Sequence, residues 1–368
     1  MAGFTPPPYP YDRLVPLQEA ASKLPGGIVD LSVGTPCDAP PDIVAAALAE
    51  VGSARSYPPS IGTLEYRTAV VGWLRRRFEV ALGPDEVAAC MGTKELVAGV
   101  PHWLRLRTPE RDTVLYPEIS YPTYAMGATL AGCRAVPVPV DEHWRIRLDA
   151  IDDADAARAV CLWVNTPGNP AGGLDDLDAA AAWGRERAVP VLSDECYAEF
   201  TWEGAPRTIL STGSAGVLAV HSLSKRSNLA GARVGFYAGD RDLVHYLSEV
   251  RKHAGFMVPG PVQHAGAVAW DDDAHVEVQR TRYLERLDAL VTGLRSFGLD
   301  ASRPAGAFYL WVPAPDGDAW ALAATLADRA GMLVSPGEFY GPAGAGHVRV
   351  AAVQPLDRIA LGLDRLLA

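Results

Sequence analysis

Residues 159–197 read AVCLWVNTPGNPAGGLDDLDAAAAWGRERAVPVLSDECY. An apolar run ends in Asn165, and the turn-forming stretch TPGNPAGG follows it. DDLDAAAAWGRERA then opens with carboxylates and closes with cations, the charge order a helix dipole favours. VPVLSD returns to a short apolar run and leads into ECY. Strand, helix, strand is the unit that joins parallel strands, because a helical crossover returns the chain to the start of the next strand.

The same alternation extends in both directions. VAACMG (87–92), TVLYP (113–117), GVLAVHS (216–222) and ARVGFYAG (232–239) read as strands, and PDIVAAALAEV (41–51) and LEYRTAVVGWLRRRF (64–78) carry helical spacing. The expected fold is α/β, a largely parallel sheet with helices on both faces and an antiparallel member beside the 222–236 loop. After about residue 275 the texture changes. A long charged helix, AHVEVQRTRYLERLDALVTGLRSFG, precedes strands GAFYLWV, GMLVSPG and HVRVAAV, with helices AWALAATLADRA and LDRIALGLDRLL between and after them. This predicts a smaller α+β domain over 276–368, a large domain over 46–275, and an N-terminal arm with part of the small domain over 1–45. The proline-rich first 16 residues read as an extended arm, wrapping a neighbouring subunit or packing on its own domain.

Composition narrows the function classes. The 368 residues, 49% hydrophobic and 21% charged, have the balance of a folded globular chain. A net charge of −11 without a long basic run argues against a nucleic-acid partner, and the arginines of WLRRRF (73–78) read as a solvated helix face. No apolar stretch approaches the ~20 residues of a membrane span. The N-terminus lacks the pattern of a signal peptide, so a cytoplasmic protein is expected. Cys37, Cys90, Cys133, Cys161 and Cys196 are widely spaced and odd in number, and the eight histidines are scattered. Neither a disulfide framework nor a metal site is expected.

In an open parallel sheet, ligands bind beyond the carboxyl ends of the strands. Gly92, Thr93, Asn169, Asp194, Tyr197, Ser222, Ser224 and Lys225 all fall at such ends. Lys225, Arg226 and Arg233 bring cations to the edge of an apolar core, which calls for an anion there. One cofactor, pyridoxal 5'-phosphate, uses every one of these types. A lysine amine bonds its aldehyde. An aspartate keeps its ring nitrogen protonated. Asparagine and tyrosine donate to its ring oxygen, and an aromatic from SYPTY stacks on the ring. Serines, an arginine and backbone N–H groups at a helix start suit its phosphate. Each residue alone has an ordinary reading: Asp194 as a cap or surface carboxylate, NPAG as a turn, Tyr121 as core, Arg349 as half of an ion pair, and Gly34 as part of the turn before Pro36.

Taken together, the segments LSVGTP, YPPSIGTLEYR, GTKEL, SYPTY, NTPGNPAGG, SDECYAEF, SLSKRSNLAGARVGF and HVRVA resemble, in order and over nearly the whole chain, the class I/II aminotransferases of fold type I. The resemblance implies a mainly parallel seven-stranded sheet sandwiched by helices. It implies that Lys225 carries the cofactor and then shuttles a proton, that Asp194 pairs with the ring nitrogen, and that Tyr197 and Asn169 hold the ring oxygen while Tyr121 stacks. Gly92, Thr93, Lys94, Ser222, Ser224 and Arg233 would bind the phosphate. Tyr57 would reach the phosphate of a second subunit, which implies a homodimer with shared sites. Arg349, with the Gly34 backbone and Asn169, would bind the substrate carboxylate.

A finer resemblance, carried by SLSKRSNLAG, YPPSIGTLEYR, GTKE and RKHAGFMVPGPVQHA, is to the actinobacterial N-succinyldiaminopimelate aminotransferases of lysine biosynthesis. Arg226, Lys252 and His253 are candidates for reading a distal carboxylate, or else a surface or interface cluster. Aminotransferases of other specificity (aspartate, aromatic or other amino acids) and a pyridoxal-phosphate C–S β-lyase stay open, since these share the motifs. A cofactor-sensing regulator would need a helix-turn-helix module, which is not expected within these residues. A nucleotide-binding protein would need a G-x-G-x-x-G or P-loop, and the sequence has neither.

Overall fold

The computed structural model describes residues 4–50 and 52–368; residues 1–3 of the arm and Val51, the last residue of the 41–51 run, lie outside the described residues. The chain divides into two compact units. The smaller comprises the segment up to Gly34 with Tyr283–Arg303 and Phe308–Ala368, and the larger comprises Thr35–Arg282 with Pro304–Ala307. Sequence reading put the boundaries at 45/46 and 275/276, whereas the division falls at 34/35 and 282/283. Helix Asp42–Leu48 accounts for the first difference, because Val44 and Ala47 are buried in the larger unit's core. The second arises because helix Ala274–Ser296 is continuous, so a change of sequence texture at its start marks no break in the chain.

Strand β1 (Val29–Asp30) belongs to the smaller unit. Among the described residues the next seven strands form one sheet. They are β2 (Val87–Cys90), β3 (Thr113–Pro117), β4 (Arg134–Val138), β5 (Ala159–Asn165), β6 (Val191–Asp194), β7 (Val217–Ser222) and β8 (Gly235–Gly239). Their order is β2-β8-β7-β6-β5-β3-β4. Pairing from β4 to β7 is parallel throughout, and β8 is antiparallel to both of its neighbours. Every residue of β5 is buried, as expected of a strand with helices on both faces. Two-residue alternation sends Cys161 and Trp163 into one core with Val97 and Leu104, and Leu162 and Val164 into the other with Trp73 and Ala180. Helix Leu177–Arg187 starts at Asp176, whose Oδ1 accepts from the Ala179 amide at 3.0 Å, and ends with Arg185 and Arg187 in its last turn.

β4 escaped the sequence reading. It is an edge strand containing Pro137, and an interior proline argues against a strand unless it lies at an edge. The reading of WLRRRF as a solvated face holds for Arg75 and Arg76 only, because Arg77 turns inward to buried Glu199 at 2.7 Å.

In the smaller unit, β9 (Tyr309–Pro313), β10 (Met332–Leu333), β11 (Ser335–Pro336) and β12 (His347–Ala351) complete the strands. β11-β12-β9 is antiparallel, and β10 pairs in parallel with β1. The single strand expected over GMLVSPG is therefore two strands with different partners. The expected extended arm is also corrected. A 3₁₀ turn over Pro10–Leu14 leads directly into helix Val15–Ser22, and Arg13 pairs with Glu338 at 2.7 Å. From residue 10 onward the arm thus packs on its own unit. The five cysteines are free thiols. Among the described residues no helix is long and apolar enough to cross a membrane.

Candidate active site

Asp194 is the last residue of β6, in register with Asn165 at the end of β5. Parallel pairing with equal endings therefore sets the two side chains next to each other. Asn165 Nδ2 donates to the Asp194 carbonyl at 2.9 Å, while its Oδ1 accepts from the Asn169 amide at 2.8 Å. Asn165 thus ties the TPGNPAGG loop, and Asn169 with it, to the Asp194 strand end. Asp175 fastens the far side of that loop, accepting from the Ile146 amide at 2.9 Å and the Asn165 amide at 3.2 Å. Burial pushes the Asp175 carboxyl up to about 6.

The Asp194 carboxylate is buried, and burial raises its pKa against the opposing pull of its donors. Oδ2 accepts from Tyr124 Oη at 2.9 Å and Oδ1 from the Cys196 amide at 3.3 Å. Tyr197 follows in the same segment, also buried, and opens the 3₁₀ turn Ala198–Phe200. Tyr121 lies edge-on to Tyr124, with ring centroids 6.0 Å apart.

Gly92 and Thr93 begin helix Thr93–Arg107, with Gly92 at φ 74° as its N-cap. A Cβ on Gly92 would lie 2.7 Å from Arg233 Cζ, so only glycine leaves room for the guanidinium over this helix start. Arg233 itself adopts a left-handed backbone and anchors Nη1 on the Ala230 carbonyl at 2.8 Å. Thr93 Oγ1 lies 3.4 Å from Cys196 Sγ, which joins this helix start to the Asp194 segment. The Lys94 side chain is exposed. Ser222 caps the short helix Leu223–Arg226, accepting from the Ser224 amide at 3.1 Å and bonding the Ser224 hydroxyl at 2.9 Å. That helix carries half-buried Lys225 at the end of β7.

Arg226 is not available for a distal carboxylate. It is 2% exposed, bonded to Glu199 at 3.2 Å, Asp273 at 2.9 Å and the Ala269 carbonyl at 2.6 Å, and it lies over the rings of Trp73 and Trp270. The readings as a substrate cation or a surface or interface cluster do not survive, whereas the anion expected beside a cation at the core edge is present as the carboxylates of Glu199 and Asp273. Lys252 is exposed and within 3.4 Å of Glu249, and His253 is exposed.

Tyr57 is 95% exposed, clear of the residues just described in its own chain. Arg349 and Gly34 belong to the smaller unit. The Arg349 guanidinium lies between two aromatic rings, 4.2 Å from the Tyr309 centroid and 4.8 Å from that of Tyr340, and donates through Nη2 to Tyr11 Oη at 3.2 Å and to the Ser32 carbonyl. Gly34 faces the same Tyr309 ring so closely that a Cβ would lie 2.8 Å from its Cζ.

Tyr124, Asn165, Cys196 and Tyr11 escaped sequence reading. Only Tyr124 left a signal, since it stands three residues after Tyr121 in SYPTY, with the start of helix Thr123–Leu130 between them.

This donor set fits a phosphate-bearing pyridine. The space over Gly92 that a Cβ would fill is held by a guanidinium at a helix start, an anion site by construction. Asp194 supplies a buried carboxylate suited to a protonated ring nitrogen. The model of the class I and II aminotransferases matches residues 27–361, and the chain belongs to that family. Its cofactor is pyridoxal 5'-phosphate, and its activity is transamination between amino acids and oxo acids.

The chain is 41% identical to the 4-dedimethylamino-4-oxo-anhydrotetracycline transaminase OxyQ of Streptomyces rimosus, over 98% of this chain and 99% of that protein. It is 43% identical to the probable aminotransferase Rv1178 of Mycobacterium tuberculosis, over 98% and 85%. Among solved structures, a probable N-succinyldiaminopimelate aminotransferase of Thermus thermophilus superposes with a TM-score of 0.88 at 29% identity, over 97% and 99%.

Proposed function

We propose that this aminotransferase moves the amino group of glutamate to N-succinyl-2-amino-6-oxopimelate, giving N-succinyl-LL-diaminopimelate and 2-oxoglutarate on the route to lysine. The observation that carries this reading is the set SLSKRSNLAG, YPPSIGTLEYR, GTKE and RKHAGFMVPGPVQHA, which runs alongside the full-length likeness to the Thermus protein. The cations once available for the succinyl end do not add to it, because Arg226 is committed to Glu199 and Asp273.

In this reading Lys225 Nζ would hold the cofactor through its aldehyde carbon and would serve as the base that takes the proton from the substrate α-carbon. When bound, the cofactor supplies a ring that withdraws electrons from that carbon. Asp194 holds the proton on the ring nitrogen, and Asn169 and Tyr197 donate to the ring oxygen. Tyr121 covers the ring face. The amides at Gly92, Thr93 and Lys94, the hydroxyls of Ser222 and Ser224 and the Arg233 guanidinium hold the phosphate dianion. Arg349 grips the α-carboxylate as a planar fork, assisted by Asn169 and the Gly34 backbone. A second copy of the chain supplies Tyr57 to the phosphate, and the 95% exposure of Tyr57 favours that shared arrangement.

One observation favours a second reading. The 41% identity to a transaminase named for a tetracycline ketone spans both proteins end to end, which makes a polycyclic ketone the alternative amino acceptor. The test is a single-turnover assay of the enzyme first loaded with the amino group from glutamate. Discharge by the succinylated oxopimelate supports the proposal. Discharge only by a polycyclic ketone, or only by ordinary aromatic or branched oxo acids, overturns it.

A further inference from the structure

The Tyr124 hydroxyl meets Asp194 in a fully buried setting. Tyr124 is 0% exposed, and its Oη lies 2.9 Å from Asp194 Oδ2. Its ring stacks on Trp163 of β5, with centroids 5.1 Å apart and planes at 24°. It is the second residue of helix Thr123–Leu130, whose start is set by Pro122. Helix and strand are both rigid elements, so the phenol reaches Asp194 from a fixed direction. The Cys196 amide holds the other oxygen at 3.3 Å. Between them the two donors fix the rotation of the carboxylate, one on each oxygen.

We propose that Tyr124 is a positioning residue for the cofactor, acting through Asp194. It locks the carboxylate plane and favours its ionised form, so that Asp194 presents a negative charge to the ring nitrogen. Two effects compete at this carboxylate. Burial alone favours a neutral carboxylic acid, which would leave the ring nitrogen without a counter-charge. A hydrogen bond donated to the charged form opposes that, and the phenol is suited to the task because it stays protonated. Burial and the facing carboxylate push the Tyr124 pKa well above its ordinary value, so the negative charge resides on Asp194 and not on the tyrosine. The geometry also separates this function from packing. The contact with Trp163 uses the ring face, while the bond to Asp194 uses only the hydroxyl. Tyr124→Phe therefore keeps the stack and removes the donor.

This inference rests on the reading that Asp194 serves the ring nitrogen, and the experiment separates the two. Apoprotein is titrated with pyridoxal 5'-phosphate, following the visible absorption of the bound cofactor, in the parent, Tyr124→Phe, Asp194→Asn and the double variant. Tyr124→Phe should weaken cofactor affinity about 10- to 100-fold, the range that one hydrogen bond to a charged group commands. In the Asp194→Asn background the same change should cost no more than about threefold, because the charge it supports is gone. An equal loss in both backgrounds would make Tyr124 merely structural and overturn the inference. So would full affinity in Tyr124→Phe alongside a weakened Asp194→Asn. Undiminished affinity in Asp194→Asn would instead overturn the reading of Asp194 itself. Apoprotein melting curves report whether each variant folds. If the phenylalanine protein does not, Tyr124→Met fills the space without a donor and enters the same cycle.

Discussion

Replacing Arg233 by methionine should act in opposite directions on the apoprotein and the cofactor complex. The guanidinium lies over Gly92 at the start of helix Thr93–Arg107, where the positive end of the helix dipole opposes a cation. In the apoprotein the substitution relieves that repulsion, about 0.3–1 kcal/mol, and loses the bond to the Ala230 carbonyl, about 0.5–1 kcal/mol. The outer side of Arg233 is exposed, so little further packing is lost. Urea unfolding of the apoprotein should thus change by less than about 1 kcal/mol. With the phosphate dianion bound the balance reverses, because a charge-assisted bond contributes about 1.5–3 kcal/mol, or roughly 10- to 100-fold in affinity. The difference is also visible in stability. At a cofactor concentration of ~100 times the parent Kd, binding adds about 2.7 kcal/mol, and a ~30-fold weaker variant would gain only about 0.9 kcal/mol. Inorganic phosphate provides an independent probe of the same site. A variant that destabilises the apoprotein by several kcal/mol yet binds the cofactor normally would refute the assignment of Arg233 to the phosphate.

Arg226→Met should lower apoprotein stability by about 3–5 kcal/mol, because Glu199 and the Ala269 and Asp272 carbonyls lose a buried partner. Any variant that does fold should keep its KM for the oxo acid, and a raised KM with normal stability would show that Arg226 reads substrate after all. If sites are shared, mixing inactive Lys225→Ala protein with inactive Tyr57→Ala protein should restore activity to part of the parent value, through hybrids with one intact site. No recovery after verified subunit exchange would exclude sharing. Asp175, with its carboxyl raised to about 6, contributes stability that is complete below about pH 4 and is lost as the pH rises through about 6. In Asp175→Asn the slope of unfolding free energy against pH across that window should flatten; an unchanged slope would contradict the burial argument.

Much of the fold was legible because its signals are local. Strand β5 and helices Leu64–Phe78, Ala319–Ala330 and Leu356–Leu367 coincide with the segments read from periodicity, since burial on a sheet or helix face imposes its own spacing on the sequence. β4 was hidden by Pro137, whose acceptability depends on lying at the edge of the sheet, a property of the whole sheet. The GMLVSPG run looked like one strand because nothing local records that its two ends pair with different partners.

The candidate site divides in the same way. Residue types at strand ends, together with their order along the chain, were enough to bring Lys225, Asp194, Asn169 and Arg233 into one chemical proposal. Contact between distant segments was not readable. Arg226 is adjacent to Lys225 in sequence and also cationic, yet a helical turn sends it into the core to meet Glu199 and Asp273. Tyr124 and Asn165 look like packing and turn residues until the parallel register of β5 and β6 and the start of helix Thr123–Leu130 bring them to Asp194. Chemistry resides in side-chain type, which the sequence states outright. Partnership resides in which side chains share a low-dielectric space, and tertiary packing alone decides that.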